Sequence, residues 1–255
     1  MDSEKAKLKE FWNKRAQGFP RYNEAKDSYE NSILQTAMDL GVNFKGQRVL
    51  DVGCGSGMYT LKIALMAQSV VAVDISEEML EISRLDSQKL GLENITYVLS
   101  DWADFEPKGQ FDVVFCSMCP PTKEDPAKAK LIEVVGSGSL VYIGFKQYTD
   151  PKPLGILIDH YNLTRKTFQS GPDMRRWLEG QNLKYKYVER NGHWTNEYSR
   201  EVGLNWCQNM LSDLGCPSPD IELIEETLKP FWIDEIKKYR VTTPYSIELI
   251  VYGLG

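Results

Sequence analysis

The segment Arg48–Gly57, which reads Arg-Val-Leu-Asp-Val-Gly-Cys-Gly-Ser-Gly, constrains the fold of this chain more than any other stretch. Its branched apolar residues predict a buried parallel strand, and its glycines predict a tight turn with room for a ligand beside the backbone. A second apolar run, Val70–Val73, ends in Asp74, whose carboxylate could accept both hydroxyls of a ribose. The two strands and the helix between them predict a βαβ unit with a nucleoside site.

The spacing of the glycines separates this turn from the turn that binds dinucleotides. Dinucleotide turns usually read Gly-x-Gly-x-x-Gly, whereas this one reads Gly-x-Gly-x-Gly and follows an acid, Asp51. A carboxylate at that place would repel a pyrophosphate and would suit a positively charged ammonium group. The spacing therefore argues against a nucleotide-dependent oxidoreductase, which is the alternative from another enzyme class.

With this acid, the glycine turn and the second acid one strand later, the chain closely resembles the class I S-adenosylmethionine-dependent methyltransferases. The resemblance implies a Rossmann-like α/β fold, a three-layer α/β/α sandwich with a mostly parallel seven-stranded sheet and an antiparallel last strand. It also implies S-adenosyl-L-methionine as the cofactor. The cofactor-binding residues that it implies in the βαβ unit are Asp51, Gly53, Cys54, Gly55, Asp74 and Ile75.

Further cofactor contacts are implied at the carboxyl edge of the sheet, where open α/β folds bind their ligands. Asp101 would accept a hydrogen bond from the adenine amino group, and the amide or ring of Trp102 would contact the base. Met79, in the first turn of a helix, would pack on the adenine, Tyr22 would touch the methionine end, and Ser117 would lie near the methyl group. The alternatives are a solvated loop acid for Asp101 and ordinary core residues for Met79 and Tyr22.

A chain of 255 residues predicts one domain that is slightly longer than a minimal methyltransferase. Residues 1–45 are predicted to be an N-terminal helical cap, which the resemblance places over the cofactor. Residues 190–245 separate predicted strands at 183–188 and 246–252, where a simple methyltransferase would make a short hairpin. Apolar residues at four-residue spacing predict helices in this insertion. We interpret it as a helical substrate lid near the C-terminus, with dimerisation as the competing use.

Methyl transfer needs few catalytic side chains, because the cofactor carries the reactive group and the protein aligns the acceptor. An acceptor hydroxyl or ammonium would need a base, for which His193 is the tentative candidate, against an ordinary surface or packing histidine. Cys116 and Cys119, at the end of the fourth strand, could bind a soft metal. A zinc site normally needs further thiol or imidazole ligands, so inert packing is expected and no metal is predicted.

Composition excludes several classes of partner. A formal charge of −6 and a pI near 5.2 argue against nucleic acid, which needs a cationic face. No apolar run approaches the ~20 residues that cross a bilayer, so no membrane partner is expected and a cytoplasmic location is predicted. The five cysteines, an odd number, fit reduced thiols better than a disulfide framework.

The function predicted from the sequence is S-adenosylmethionine-dependent methyl transfer to a small-molecule acceptor, by a monomer or a homodimer. A non-catalytic module that binds the same cofactor stays the alternative, because the same residues would bind it in both cases. Aromatic residues in the insertion favour a partly apolar or cationic acceptor pocket, although they could equally hold the lid in place. These residues are Trp194, Tyr198, Trp206, Phe231, Trp232 and Tyr245.

Overall fold

One mostly parallel sheet forms the framework of the structure, a computed structural model that describes residues 2–165 and 167–253. Its strands follow the order β3-β2-β1-β4-β5-β8-β6, and the two-residue β7 pairs with β8 outside this order. The strands are β1 (Arg48–Val52), β2 (Ser69–Asp74), β3 (Ile95–Leu99), β4 (Val113–Ser117), β5 (Ser139–Gln147), β6 (Tyr185–Tyr198), β7 (Trp232–Ile233) and β8 (Lys238–Tyr252). The last strand of the chain lies between β5 and β6, and the C-terminal strands are antiparallel, as the resemblance implied.

Helices flank this sheet and complete the predicted α/β fold. The α-helices are α1 (Asp2–Ala16), α2 (Tyr29–Asp39), α3 (Met58–Ala64), α4 (Glu77–Lys89), α5 (Asp125–Val135), α6 (Lys152–His160), α7 (Ser170–Gly180), α8 (Arg200–Asp213) and α9 (Ile221–Leu228). No helix among the described residues is both long enough and apolar enough to span a bilayer.

The strands β1 to β4 are parallel to one another, and this arrangement brings the residues that follow them together. Asp51 on β1 lies opposite Ala72 on β2 and Phe115 on β4. Four of the five β1 residues are buried, which agrees with the apolar run that predicted a strand covered on both faces. The carboxyl ends of β1 to β4 therefore lie along one edge of the sheet.

The C-terminal strands extend further than the apolar runs indicate. Apolar runs predict strands at 183–188 and 246–252, whereas β6 has 14 residues and β8 has 15. The added part of β6 alternates exposed side chains with half-buried ones, and that of β8 alternates exposed side chains with buried ones, so both lack the continuous apolar pattern of a strand buried on two faces. Residues 190–245 are consequently helical only in the middle, and the prediction of a helical insertion is wrong at its two ends.

The chain divides into two compact units, which differ from the predicted boundaries. The first contains the residues up to Gly144, Ser170–Glu189 and the segment from Glu248 onward, and the second contains Phe145–Gln169 and Arg190–Ile247. The second unit thus includes α6, a helix that precedes the predicted insertion. The role of residues 190–245 as a substrate lid stays a prediction.

The second unit has its own apolar core. Helices α6, α8 and α9 provide most of its side chains, and Tyr239 on β8 adds an aromatic ring. The fully buried members of this core include Leu154, Leu157, Ile158, Cys207, Leu211, Ile224 and Leu228. The four-residue spacing of apolar residues correctly predicted α8 and α9, because this spacing lines one face of a helix.

Candidate active site

The glycine turn between β1 and α3 has a backbone conformation that other residues rarely adopt. Gly53, Gly55 and Gly57 have φ angles of +70°, +55° and +83°. A Cβ atom at Gly53 would lie 2.5 Å from Cys119 Sγ, and one at Gly57 would lie 2.0 Å from Ser83 Oγ. Both the left-handed conformation and the close packing therefore require glycine at these two positions.

Asp74, at the end of β2, connects the glycine turn to the start of α4. Its carboxylate accepts hydrogen bonds from the Gly55 amide and the Ser76 amide, each at 2.8 Å. Burial raises the pKa of Asp74, and hydrogen bonds from the Ser76, Gly55 and Ile75 backbones oppose this shift. Each carboxylate oxygen has a second lone pair, so the group could still accept hydroxyls from a ligand. Ile75 beside it is half-buried.

Asp51 lies deeper than Asp74 and points toward α3. Its carboxyl is only 2% exposed and accepts a hydrogen bond of 2.6 Å from the Thr60 hydroxyl. Burial raises the pKa of Asp51 to about 7, the Thr60 hydrogen bond opposes this shift, and the charge of Asp74 adds to it. A positive ligand group nearby would favour the ionised form. Thr60 is a site residue that the sequence analysis missed, because a threonine one helix turn past a glycine loop carries no distinctive signal.

The segment after β3 forms a single helical turn that begins at Asp101. One carboxylate oxygen of Asp101 accepts the Ala103 amide at 2.7 Å, as an Asx cap does. The indole of Trp102 is 3% exposed, stacks on Phe105 and donates a hydrogen bond of 3.1 Å to the Ala127 carbonyl. The Trp102 ring is therefore part of the core. Of the two predicted contacts with a base, the one through the backbone amide of Trp102 fits this position better than the one through the ring.

The N-terminal segment lies against the glycine turn. The Ser56 hydroxyl donates to the Pro20 carbonyl at 2.6 Å, and a Cβ atom at Gly55 would lie 3.8 Å from the Phe19 ring. On α1, Asn13 accepts a hydrogen bond of 2.7 Å from the Ser76 hydroxyl, which itself caps α4. These contacts hold Asn13, Phe19 and Pro20 beside the turn and the start of α4, and the role of residues 1–45 as a cap over the cofactor stays a prediction.

Two further residues that were predicted to contact the cofactor are Met79 on α4 and Tyr22 between α1 and α2. Met79 is fully buried in the first turn of α4. Tyr22 is half-buried, with the Lys62 ammonium 5.0 Å from its ring centroid, and burial raises the pKa of its hydroxyl. Tyr22 and Lys62 also line a cavity of about 590 Å³ that involves α2 and α3. Contact of Tyr22 or Met79 with a cofactor stays a prediction.

The end of β4 turns back toward the glycine loop. Met118 has a φ angle of +50°, a conformation that is uncommon for a residue with a side chain. This turn brings Cys119 against Gly53, and the hydrogen bond with Cys116, together with burial, raises the pKa of the Cys119 thiol. Ser117, before the turn, is half-buried.

The cysteines of this region do not belong to a recognisable metal centre. Among residues 2–165 and 167–253, no group of three or more His, Cys, Asp or Glu side chains could hold an ion. Cys54, within the glycine turn, is buried, and burial raises the pKa of its thiol well above the usual range. A buried neutral thiol behaves as a small apolar side chain.

His193 belongs to a different compact unit from the other candidate residues. It occupies an exposed position of β6 within the second unit, whereas the acids and the glycine turn belong to the first unit. Its role as a base stays a prediction.

Comparison with known proteins identifies the family of this chain. A family model described as a methyltransferase domain matches residues 43–192, which contain the glycine turn, Asp74 and Asp101. The chain therefore belongs to this family, and the predicted class, an S-adenosylmethionine-dependent methyltransferase with a Rossmann-like fold, is confirmed. S-adenosylmethionine is accordingly the cofactor of the class, and the oxidoreductase alternative is wrong.

The chain is also similar to individual proteins, one of which is named as a methyltransferase. A ubiquinone biosynthesis O-methyltransferase of Aromatoleum aromaticum is 28% identical over 158 residues, which cover 58% of this chain and 67% of the relative. An uncharacterised protein of Haemophilus influenzae is 34% identical over 107 residues, which cover 42% of this chain and 39% of the relative. The chain thus spans about two fifths to two thirds of the length of these relatives.

A solved structure extends the likeness to nearly the whole chain. The magnesium protoporphyrin IX methyltransferase of Synechocystis PCC 6803, crystallised with SAH, has a TM-score of 0.53 and 18% identity. The match covers 97% of this chain and 98% of that protein. At this identity the likeness supports the fold.

Proposed function

We propose that this chain transfers a methyl group from S-adenosylmethionine to a small-molecule acceptor. The observation that carries the proposal is the pairing of the glycine turn with Asp74, whose carboxylate orients the turn by accepting the Gly55 amide. This arrangement presents an acid and a backbone without side chains at the carboxyl edge of the sheet.

The residues of the first unit fit the parts of this cofactor. At Gly55 the Phe19 ring, 3.8 Å away, is the one described neighbour that an added Cβ would meet, so the turn leaves a cradle lined by backbone. Asp74 would hold the ribose hydroxyls, and Asp101 would accept the adenine amino group. Asp51 would attract the ammonium of the methionine part, directly or through water. When bound, S-adenosylmethionine would supply the activated methyl group.

The chain's own contribution to the transfer would be alignment and exclusion of water. A role of the N-terminal segment in excluding water is supported by the hydrogen bond that the Ser56 hydroxyl donates to the Pro20 carbonyl. Ser117 and the turn at Met118 end the strand that we expect beside the methyl group. His193 as a base and residues 190–245 as a lid belong to the same proposal.

A small-molecule acceptor is supported by two observations. The ubiquinone biosynthesis O-methyltransferase is a relative over more than half of this chain. The net charge of −6 disfavours a polyanionic acceptor such as nucleic acid. A cytoplasmic location and a monomeric or homodimeric state stay part of the proposal.

The test of the cofactor site compares Asp74→Asn with the wild type by calorimetry, with S-adenosylhomocysteine and NAD(H) as ligands. We expect wild-type binding of S-adenosylhomocysteine only, weakened about 10- to 100-fold in the variant, because a charge-assisted hydrogen bond to the ribose is lost. Asp39→Asn, which changes an exposed acid on α2, is the matched control and should bind normally. Binding of NAD(H) alone, or equal binding by Asp74→Asn, would contradict the proposed site.

The test of the activity uses S-adenosylmethionine labelled on its methyl group and the low-molecular-weight fraction of a cell extract. We expect label in an acceptor and formation of S-adenosylhomocysteine that depends on this fraction. Binding of the cofactor without a labelled product from any fraction would instead indicate a non-catalytic binding module.

A further inference from the structure

Lys130, on α5, holds the helical turn that begins at Asp101. Its Nζ donates hydrogen bonds to the carbonyls of Trp102 at 2.7 Å and Ala103 at 3.2 Å, and to the carbonyl of Phe105. These carbonyls lie at the C-terminal end of the turn, where backbone acceptors lack partners within the helix. One ammonium group has three donors, and this one uses them all on the backbone of a single turn.

A second contact between α5 and the turn is made by the indole of Trp102. The indole donates to the Ala127 carbonyl, three residues before Lys130, and the Lys130 ammonium lies 4.7 Å from the indole ring centroid. Burial lowers the pKa of Lys130, and the negative charges of Asp104, Glu106, Asp101 and Glu133 oppose that shift. The turn is therefore held by the half-buried Lys130 ammonium and by the Trp102 indole, and Asp104 within it also forms an ion pair of 2.6 Å with Lys5.

Asp101 occupies the opposite end of this turn, so the contacts that hold the turn also hold the backbone that carries its carboxylate. The Asp101 carbonyl accepts the amides of Asp104 and Phe105, and its Oδ1 accepts the amide of Ala103. Within the part of the chain that the structure describes, no donor is recorded for Oδ2 of this carboxylate. That oxygen is available for a donor on a ligand.

We propose that Lys130 is a positioning residue for adenine recognition. Its ammonium holds the turn so that the Asp101 carboxylate meets the adenine amino group, and it acts through Asp101 without touching the ligand. The inference rests on the proposed function and adds a determinant of base specificity that lies on a different helix.

The experiment measures discrimination between two ligands by calorimetry. The probes are S-adenosylhomocysteine and S-inosylhomocysteine, in which a carbonyl oxygen replaces the adenine amino group. We expect the wild type to prefer S-adenosylhomocysteine by at least about tenfold, because its amino group donates to a carboxylate. Lys130→Met should reduce that preference to less than about threefold, mainly by weakening S-adenosylhomocysteine. Asp101→Asn gives the ratio for loss of the direct contact.

Three further variants separate positioning from a general effect on stability. Lys130→Arg should restore most of the preference, because a guanidinium can also donate to several carbonyls. Lys123→Met removes an exposed lysine that precedes α5 and should leave the ratio unchanged. Lys130→Gln retains a donor group, so it supports the same measurement if Lys130→Met does not fold, and its ratio should lie between those of Lys130→Met and the wild type.

The outcomes distinguish this inference from the proposed function. A wild-type protein that does not bind S-adenosylhomocysteine overturns the proposed function and this inference with it. Normal wild-type discrimination with an unchanged ratio in the Lys130 variants overturns the inference alone, because a purely structural lysine would weaken both ligands equally. A smaller ratio that Lys130→Arg restores supports it.

Discussion

The glycine turn of the first unit and the aromatic cluster of the second unit are built in different ways. The turn depends on missing side chains and short hydrogen bonds, such as the one between Asp74 and the Gly55 amide. The aromatic cluster depends on large rings in mutual contact. Its members are Phe145, Tyr148, Phe168, Trp194 and Tyr245.

The two regions should therefore tolerate substitutions to different degrees. A left-handed backbone with a neighbour at 2.5 Å accepts one residue type, so the Gly53 position has no alternative. Apolar and aromatic contacts accept several residue types of similar volume. The turn should therefore respond sharply to single substitutions, and the aromatic cluster should respond gradually.

The largest effect is expected for Gly53→Ala. The new Cβ would need the space of Cys119 Sγ at a φ angle of +70°, so the free energy of unfolding should fall by about 3 kcal/mol and binding of S-adenosylhomocysteine should be lost. Urea unfolding and calorimetry measure the two changes.

The matched control for that substitution is Gly46→Ala. Gly46 has nearly the same φ angle, +72°, but an added Cβ would have no neighbour within 4 Å among residues 2–165 and 167–253. Gly46→Ala should lower the free energy of unfolding by about 1 kcal/mol, from backbone strain alone. An equal loss of unfolding free energy in both variants would show that the contact with Cys119 has no effect. It would contradict the expectation that the turn is especially sensitive to substitution.

A smaller effect is expected from the buried acid beneath the turn. Burial raises the pKa of Asp51 to about 7, against 3.8 for the free group, so the folded state holds this proton more tightly than the unfolded state. The associated stability is complete below about pH 4 and is lost as the pH rises through 7. Relative to Asp51→Asn, the wild type should lose about 2 kcal/mol of unfolding free energy between pH 5 and 7.5.

Chemical denaturation of both proteins at these two pH values measures the difference. Asn retains an oxygen that can accept the Thr60 hydroxyl, so the comparison isolates the charge. A pH-independent difference between the two proteins would mean that Asp51 ionises as an exposed acid does.

The smallest effect is expected in the second unit. Trp194 and Tyr245 stack with ring centroids 4.6 Å apart, and a double-mutant cycle with Ala at each position should give a coupling of about 1 kcal/mol. Tyr245→Phe retains the ring and should preserve most of this coupling. A coupling as large as the effect of Gly53→Ala would remove the contrast between the two regions.

The sequence predicted the fold best where local pattern and burial coincide. The apolar runs before Gly53 and Asp74 became β1 and β2, because strands buried on both faces need continuous apolar residues. The outer parts of β6 and β8 were missed, since half-exposed strands tolerate polar residues and then resemble loops.

The candidate site was also predicted only in part: the sequence indicated its turn and acids but not the residues that contact them. Glycines and acids at fixed spacing identified the turn and its two carboxylates, and the family assignment confirmed the class that they implied. Thr60 was missed because a threonine near the start of a helix carries no distinctive signal. Lys130 could not be predicted, because its role depends on contacts between residues that are distant in sequence. The burial of the Trp102 ring was missed for the same reason.

The glycine turn, the acids at the strand ends and the order of strands and helices could be predicted from local sequence patterns. These follow from backbone sterics and from the burial of apolar residues, which act over a few positions of the chain. Three contacts became visible in the folded chain alone: the burial of Asp51 against Thr60, the hold of Lys130 on the turn after β3, and the exclusion of a side chain at Gly53 by Cys119. Packing brings these groups together, and packing depends on the whole fold.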